Sequence, residues 1–264
     1  MVDAPPKLVL GSDDPPAVDI YNDNGRSPFL LVADHAGNIF PRALGRLGIS
    51  GVDAERHIAL DIGIALLGRI LADALDAALI QQNYSRLVID CNRPPGAATS
   101  IPEMSELTPI PGNAGLSAAE RTAREREIFR PYHDAIAAAL ARRRAANAPT
   151  ALIALHSFTP VFKGLARPWH AALLYHRDPR LARALLTLLR NESGLHVGDN
   201  EPYFVSDATD YTIPVHGERR GILHALIEIR QDLIAEGEGQ REWAQCLARV
   251  LPEAYRRLAA NAPG

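Results

Sequence analysis

Two histidines, His35 and His156, each close a short apolar run, FLLVADH (29–35) and TALIALHS (150–157). Imidazole is a common zinc ligand, and a catalytic zinc takes about three protein ligands and keeps one position open to water. A lone histidine is more often a hydrogen-bonded core or cap residue, so it is the shared strand-end position that singles out this pair. Three residues compete for the third ligand, His57 first, then Asp61, then Asn38. His57 and Asp61 are four apart and would share one face of a helix. There His57 would coordinate a divalent metal, with Asp61 orienting it from behind.

Glu228 sits in the apolar stretch Ala225-Leu226-Ile227-Glu228-Ile229. A carboxylate inside a buried strand is costly unless it is paired or functional. Burial also raises its pKa toward the range useful to a general base. Glu228 is therefore the candidate to deprotonate an attacking water and then protonate a leaving amine. The alternative is a structural ion pair with Arg230, which points to the same side two positions on. Arg93, Arg86 and Arg167 are candidate clamps for a substrate carboxylate, since a guanidinium offers a planar fork of matching geometry. Asn92 adds neutral donors beside Arg93. Arg230 and His216, the latter in the irregular stretch YTIPVHGERRG (211–221), complete the candidate substrate contacts.

Such residues must be held by a scaffold, and the spacing of apolar residues outlines one. Uninterrupted apolar runs of a few residues suit strands buried on both faces. They occur at 29–35, 75–82, 85–92, 150–157, 171–176 and 221–230. Between them, Ile58, Ile62, Ala65, Leu66, Ile70 and Leu71 recur at helical spacing from Asp53 onward. Ser117 and Glu120 form a capping-box signature, predicting a helix to about Arg144 with a bend at Pro131. Further helices are expected over 179–193 and 239–260. Residues 94–116 hold five prolines and four glycines or asparagines, the composition of a long ordered loop that builds or covers a site. Residues 1–28 are expected to form an irregular arm. Strands alternating with helices predict an α/β fold, a three-layer α/β/α sandwich with a mostly parallel mixed sheet, organised as one domain over 1–264. His35, Asn92-Arg93, His156-Ser157, His176 and Glu228 to Arg230 would then gather at strand ends, where ligands bind in open α/β sheets.

Composition narrows the functional classes. The 264 residues are 47% hydrophobic and 22% charged, with a net charge of −3. That balance carries no electrostatic footprint for nucleic acid or an anionic membrane. Cys91 and Cys246 are the two cysteines, too few for a disulfide framework and consistent with a cytoplasmic protein. Neither a signal peptide nor a membrane-spanning run is expected. There is no G-x-S-x-G elbow of a serine hydrolase, and neither G-x-G-x-x-G nor a P-loop.

Taken in order, the segments DHAGN (34–38), HIALDIG (57–63), YSRLVIDCNRP (84–94), ALHSFTP (154–160), RPWH (167–170), VGDNEPY (197–203) and IEIRQDL (227–233) resemble the N-formylglutamate amidohydrolase family. The resemblance implies a fold distantly related to the zinc carboxypeptidases and a divalent metal, zinc foremost. The reaction it implies is hydrolysis of N-formyl-L-glutamate to formate and glutamate, a late step of histidine breakdown. It maps a first metal ligand onto His35 and a substrate-carboxylate pair onto Asn92-Arg93. A His-Ser strand end falls on His156-Ser157, and a general base with its arginine on Glu228 and Arg230. Asn38 stands where the carboxypeptidases place a ligand glutamate, so the third ligand has to come from elsewhere. The expected partner is a small acidic molecule. Rival readings are a carboxypeptidase-like amidase and a non-catalytic carboxylate-binding protein of the same fold.

Overall fold

A computed structural model describes residues 8–260. The chain begins with the edge strand β1 (Val18–Tyr21), then β2 (Phe29–Ala33), a short helix α1 (Gly51–Ala54), α2 (Ile64–Leu75) and β3 (Ala78–Gln82). The proline-rich stretch carries a small hairpin, β4 (Met104–Ser105) with β5 (Thr108–Pro109). Next come α3 (Ala118–Arg124), α4 (Arg130–Ala145), β6 (Ala151–Phe158) and a second hairpin of β7 (Val161–Phe162) and β8 (Leu165–Ala166). The remainder is β9 (Ala171–Leu174), α5 (Arg180–Arg190), β10 (Val197–Asp199), β11 (Leu223–Arg230) and α6 (Gly237–Ala260).

Seven strands make one sheet in the order β1-β3-β2-β6-β11-β9-β10. The central pairings β3-β2-β6-β11 are parallel, as is β9-β10, whereas β1-β3 and β11-β9 are antiparallel. The expected mostly parallel mixed sheet is thus present. Alternate residues of β2 face opposite layers. Phe29, Leu31 and Ala33 pack with α2, α5 and α6, while Leu30 and Val32 pack with α4 and the buried turns around Leu87 and Val88. The buried residues of α5, Leu181, Ala182, Leu185, Leu186 and Leu189, form one stripe at helical spacing.

The helix over 118–145 starts on Ser117 with a complete capping box and carries a π-helical turn, Glu125–Phe129, just before Pro131. Proline lacks an N–H and crowds the preceding turn, so the ladder shifts there.

Three expectations need correction. Within the supposed irregular arm, Val18–Tyr21 forms β1 and pairs with β3; residues 1–7 lie outside the described residues. The helix expected from Asp53 is broken between α1 and α2. In that gap Asp61 N–H donates to His35 O and Arg86 N–H to Ala59 O, so the backbone serves neighbouring loops instead of a helix ladder. Gly63 ends the gap at φ +85, with no room for a Cβ, which would lie 2.1 Å from Ile234 O. Residues 85–92 are not a strand either. Ser85 N–H donates to Ile39 O, Val88 N–H to Ser85 O and Asp90 N–H to Ser100 O. Leu87, Val88, Ile89 and Cys91 are fully buried in a turn-rich segment, and uniform burial gives the same apolar signature as a central strand.

Candidate functional site

His156 and Glu228 are register partners on the parallel strands β6 and β11, so their side chains leave the sheet on the same side. His35 lies just beyond β2, the other neighbour of β6. Asp61 arrives from the gap between α1 and α2, held there by its backbone bond to His35. His35, Asp61 and His156, all buried, offer three ligand atoms within 4.8 Å of one another. The two imidazole rings are 5.0 Å apart, edge to face.

Asp61 Oδ2 sits between the rings, 3.4 Å from His35 Nδ1 and 2.9 Å from His156 Nδ1. Each far ring nitrogen has its own buried carboxylate. His35 Nε2 donates to Asp90 Oδ1 at 2.7 Å, and His156 Nε2 to Asp34 Oδ2 at 2.9 Å. Asp34 also accepts from Thr212 Oγ1 at 2.6 Å. Asp90 accepts twice from Arg86, at 3.1 and 2.6 Å, and Arg86 reaches Asp61 at 3.4 Å. Histidines whose outer nitrogen is fixed by a carboxylate, leaving the inner one toward a shared point, are arranged as metal ligands are. Two imidazoles and one carboxylate also match a catalytic zinc site with an open position.

The charges follow from this packing. Burial disfavours ionisation of the carboxylates, but His156 and His35 overcome it and hold Asp61 well below the usual range. Asp34 is brought to about 2 against the same burial, chiefly by His156. Asp90 is held low by Arg86 and His35. His156 is raised by Asp34 and Asp61, and His35 by Asp90 and Asp61, in both cases against the opposing effect of burial. Glu228 behaves differently. Burial pushes it up to about 7, with Asp61 adding to the rise and His156 opposing it. It is 8% exposed and its Oε2 has no hydrogen-bond partner among the described residues.

His35, Asp61, Arg86, Asp90, His156 and Glu228 line a cavity of about 560 Å³, together with Asn92, Arg93, Ser157 and Tyr203. The other sequence candidates divide. Arg93 faces the cavity, its guanidinium bonded to the carbonyls of Asn92 and Thr209 and to no carboxylate among the described residues. Asn92 is fixed beside it by Asp210 and by the N–H groups of Tyr211 and Thr212. Arg167 is buried behind the cavity wall, its Cζ 4.7–5.8 Å from the rings of Phe158, Phe162 and Tyr203. Arg86 lines the cavity, but its fork is taken by Asp90.

His57 is not one of the converging donors. It stands at the cavity wall with Nε2 3.1 Å from Glu106 Oε1, off the line of a hydrogen bond. Asn38 is exposed and donates to Ala54 O. Asp61, ranked second for the third ligand, is the residue that joins the two histidines, because the helix that would have put His57 forward does not form. His216 lies outside the cavity lining and pairs with His133, Nε2 to Nδ1, at 3.0 Å. Arg230 turns to Asp232 and to the carbonyls of Arg167 and Trp169, not to Glu228. His176 is exposed beyond β9. Sequence reasoning missed Asp34 and Asp90. Both interrupt apolar runs, the same signal that marked Glu228.

The N-formylglutamate amidohydrolase family model matches residues 27–235. Gene product Atu2144 from Agrobacterium tumefaciens is 36% identical, with a TM-score of 0.92 over 95% of this chain and 99% of that one. An N-formylglutamate amidohydrolase from Ralstonia eutropha JMP134 is 19% identical, with a TM-score of 0.65 over 91% of this chain and 97% of that one, a likeness of fold. No curated protein matches.

Proposed function

The chain belongs to the N-formylglutamate amidohydrolase family, and from that premise we propose that it is a metal-dependent hydrolase of the amide in N-formyl-L-glutamate or a closely related N-acyl amino acid. The observation that carries this is the buried convergence of His35, Asp61 and His156 beside Glu228, whose Oε2 has no hydrogen-bond partner among the described residues.

His35, Asp61 and His156 would hold a divalent ion, zinc foremost, with Asp90 and Asp34 keeping the two imidazoles oriented. When bound, such an ion polarises an amide carbonyl and makes a water acidic enough to lose its proton near neutral pH. Glu228 is the general base. Its pKa of about 7 suits a group that takes a proton from the attacking water and returns it to the departing amine. Arg93 and Asn92 bind the substrate carboxylate, the guanidinium as a fork and the amide as a neutral donor. Arg86 neutralises the acidic surroundings of the histidines.

The test is release of formate and glutamate from N-formyl-L-glutamate by the purified, zinc-supplemented protein. Hydrolysis that stops with a chelator and returns with zinc is expected. Undiminished hydrolysis after complete metal removal would overturn metal dependence. Lack of any hydrolysis of N-formyl or other N-acyl amino acids would overturn the assignment.

A further inference from the structure

The cavity is larger and more aromatic than a formyl group needs. At about 560 Å³ it falls within the ~300–1,000 Å³ of pockets that hold drug-sized ligands, whereas N-formylglutamate has only about a dozen non-hydrogen atoms. Phe158, Phe162, Tyr203 and Phe204 line it, with Met104 and Leu226. Phe158 comes from the end of β6, Phe162 from the β7-β8 hairpin and Tyr203-Phe204 from the loop after β10. Phe204 is 68% exposed and Met104 60%. Large apolar side chains left wet at the mouth of a pocket gain by being covered with an apolar ligand.

An amide substrate has two ends. One is the amino acid, whose carboxylate is drawn to Arg93 and Asn92 on the segments around 92 and 209. The scissile bond belongs beside Glu228 and the two histidines. What remains for the acyl end is the aromatic wall. A formyl group, with a hydrogen in place of an acyl chain, would leave that wall bare. Arg167 stiffens the wall, because its buried guanidinium stacks against three of the rings and has no carboxylate partner among the described residues.

We infer that the preferred substrates are N-acyl amino acids whose acyl group is apolar and bulky, an aryl-acetyl group being the type that fits an aromatic wall. The inference rests on the hydrolase reading above and specifies its substrate. The amide C–N bond breaks, the acyl carbon takes the hydroxyl of water, and the amine takes its proton. The products are an apolar carboxylic acid and a free amino acid.

The experiment compares kcat/KM for N-formyl-, N-acetyl- and N-phenylacetyl-L-glutamate with the full chain supplied with zinc, measured by release of glutamate. Apolar additions to a substrate are worth about tenfold or more each in a complementary pocket. The phenylacetyl compound should therefore exceed the formyl compound at least tenfold. Phe162→Ala, and separately the exposed-site change Phe204→Ser, should each narrow that ratio severalfold. A preference for the formyl compound, or a ratio unmoved by both substitutions, would overturn the inference while leaving the hydrolase reading intact. Release of glutamate from none of the compounds would overturn both.

Discussion

Glu228→Gln should separate catalysis from stability. The substitution keeps size and one hydrogen-bonding oxygen but removes basicity. Glu228 is 8% exposed, has no partner for Oε2 among the described residues, and is pushed by burial from its ordinary 4.5 to about 7. As general base it contributes about 10²–10⁴-fold to kcat, or about 3–5 kcal/mol of barrier, and that is the expected loss. Zinc content should not change, because the ligands are other residues. The fold should gain. A carboxyl whose folded pKa is raised costs nothing below pH 4.5, where it is protonated in both states. The penalty builds as pH rises from 4.5 to about 7 and is complete above that, about 3 kcal/mol at 1.36 kcal/mol per pH unit. In metal-free protein, urea unfolding of Glu228→Gln should match the parent at pH 4.5 and exceed it at pH 8. Near-full activity would refute the base assignment. Loss of zinc would make Glu228 a ligand, and lower stability at pH 8 would mean that its carboxylate has a favourable partner.

Other changes probe the rest of the site and its support. Arg93→Ala should raise KM on acidic substrates roughly 30-fold or more, since losing one partner of a buried charge pair costs about 2–5 kcal/mol; unaltered kinetics would remove Arg93 from the carboxylate site. Gly63→Ala should destabilise the fold by at least about 1–3 kcal/mol, because a Cβ meets Ile234 O at 2.1 Å and φ is +85; thermal unfolding checks this. The His133–His216 pair should make the protein acid-sensitive. Burial lowers His133 to about 4 and His216 to about 3. Their neutral forms favour the fold above the ordinary value of 6.5, and that stability fades as pH falls toward 4 and below. Denaturation at pH 7 and pH 5 should show a smaller drop for His216→Gln than for the parent.

How much of this was legible in the sequence depended on whether a residue's surroundings were local. The strands β2, β6 and β11 are readable because each is dominated by apolar residues buried on both faces, and His156 and Glu228 stand out as polar breaks within β6 and β11, His35 as one just beyond β2. The capping box at Ser117 is local chemistry and is read directly, whereas the sequence predicts a bend at Pro131 and the structure has a π-helical turn just before it. The segment 85–92 was misread because burial in a turn produces the same apolar run as a central strand. The convergence of Asp61, and not His57, on the two histidines escapes local reading for a related reason. Helical spacing from Asp53 put His57 and Asp61 on one face, but the backbone between them is bonded to His35, Ser85 and Arg86, contacts that no local pattern announces. Asp34 and Asp90 acquire meaning only once the turn segment and β2 bring them behind the two histidines. Arg230 and His216 were placed by chain position, and packing turned both to other partners.

The metal centre is tested most directly by the metal content of the purified protein and of Asp61→Ala, measured by elemental analysis after equilibration with zinc and removal of the excess. The protein should retain about one zinc per chain, as expected for a site of three protein ligands, and Asp61→Ala should retain little while staying folded. A folded parent that retains no zinc, or an Asp61→Ala protein that retains as much as the parent, would contradict it.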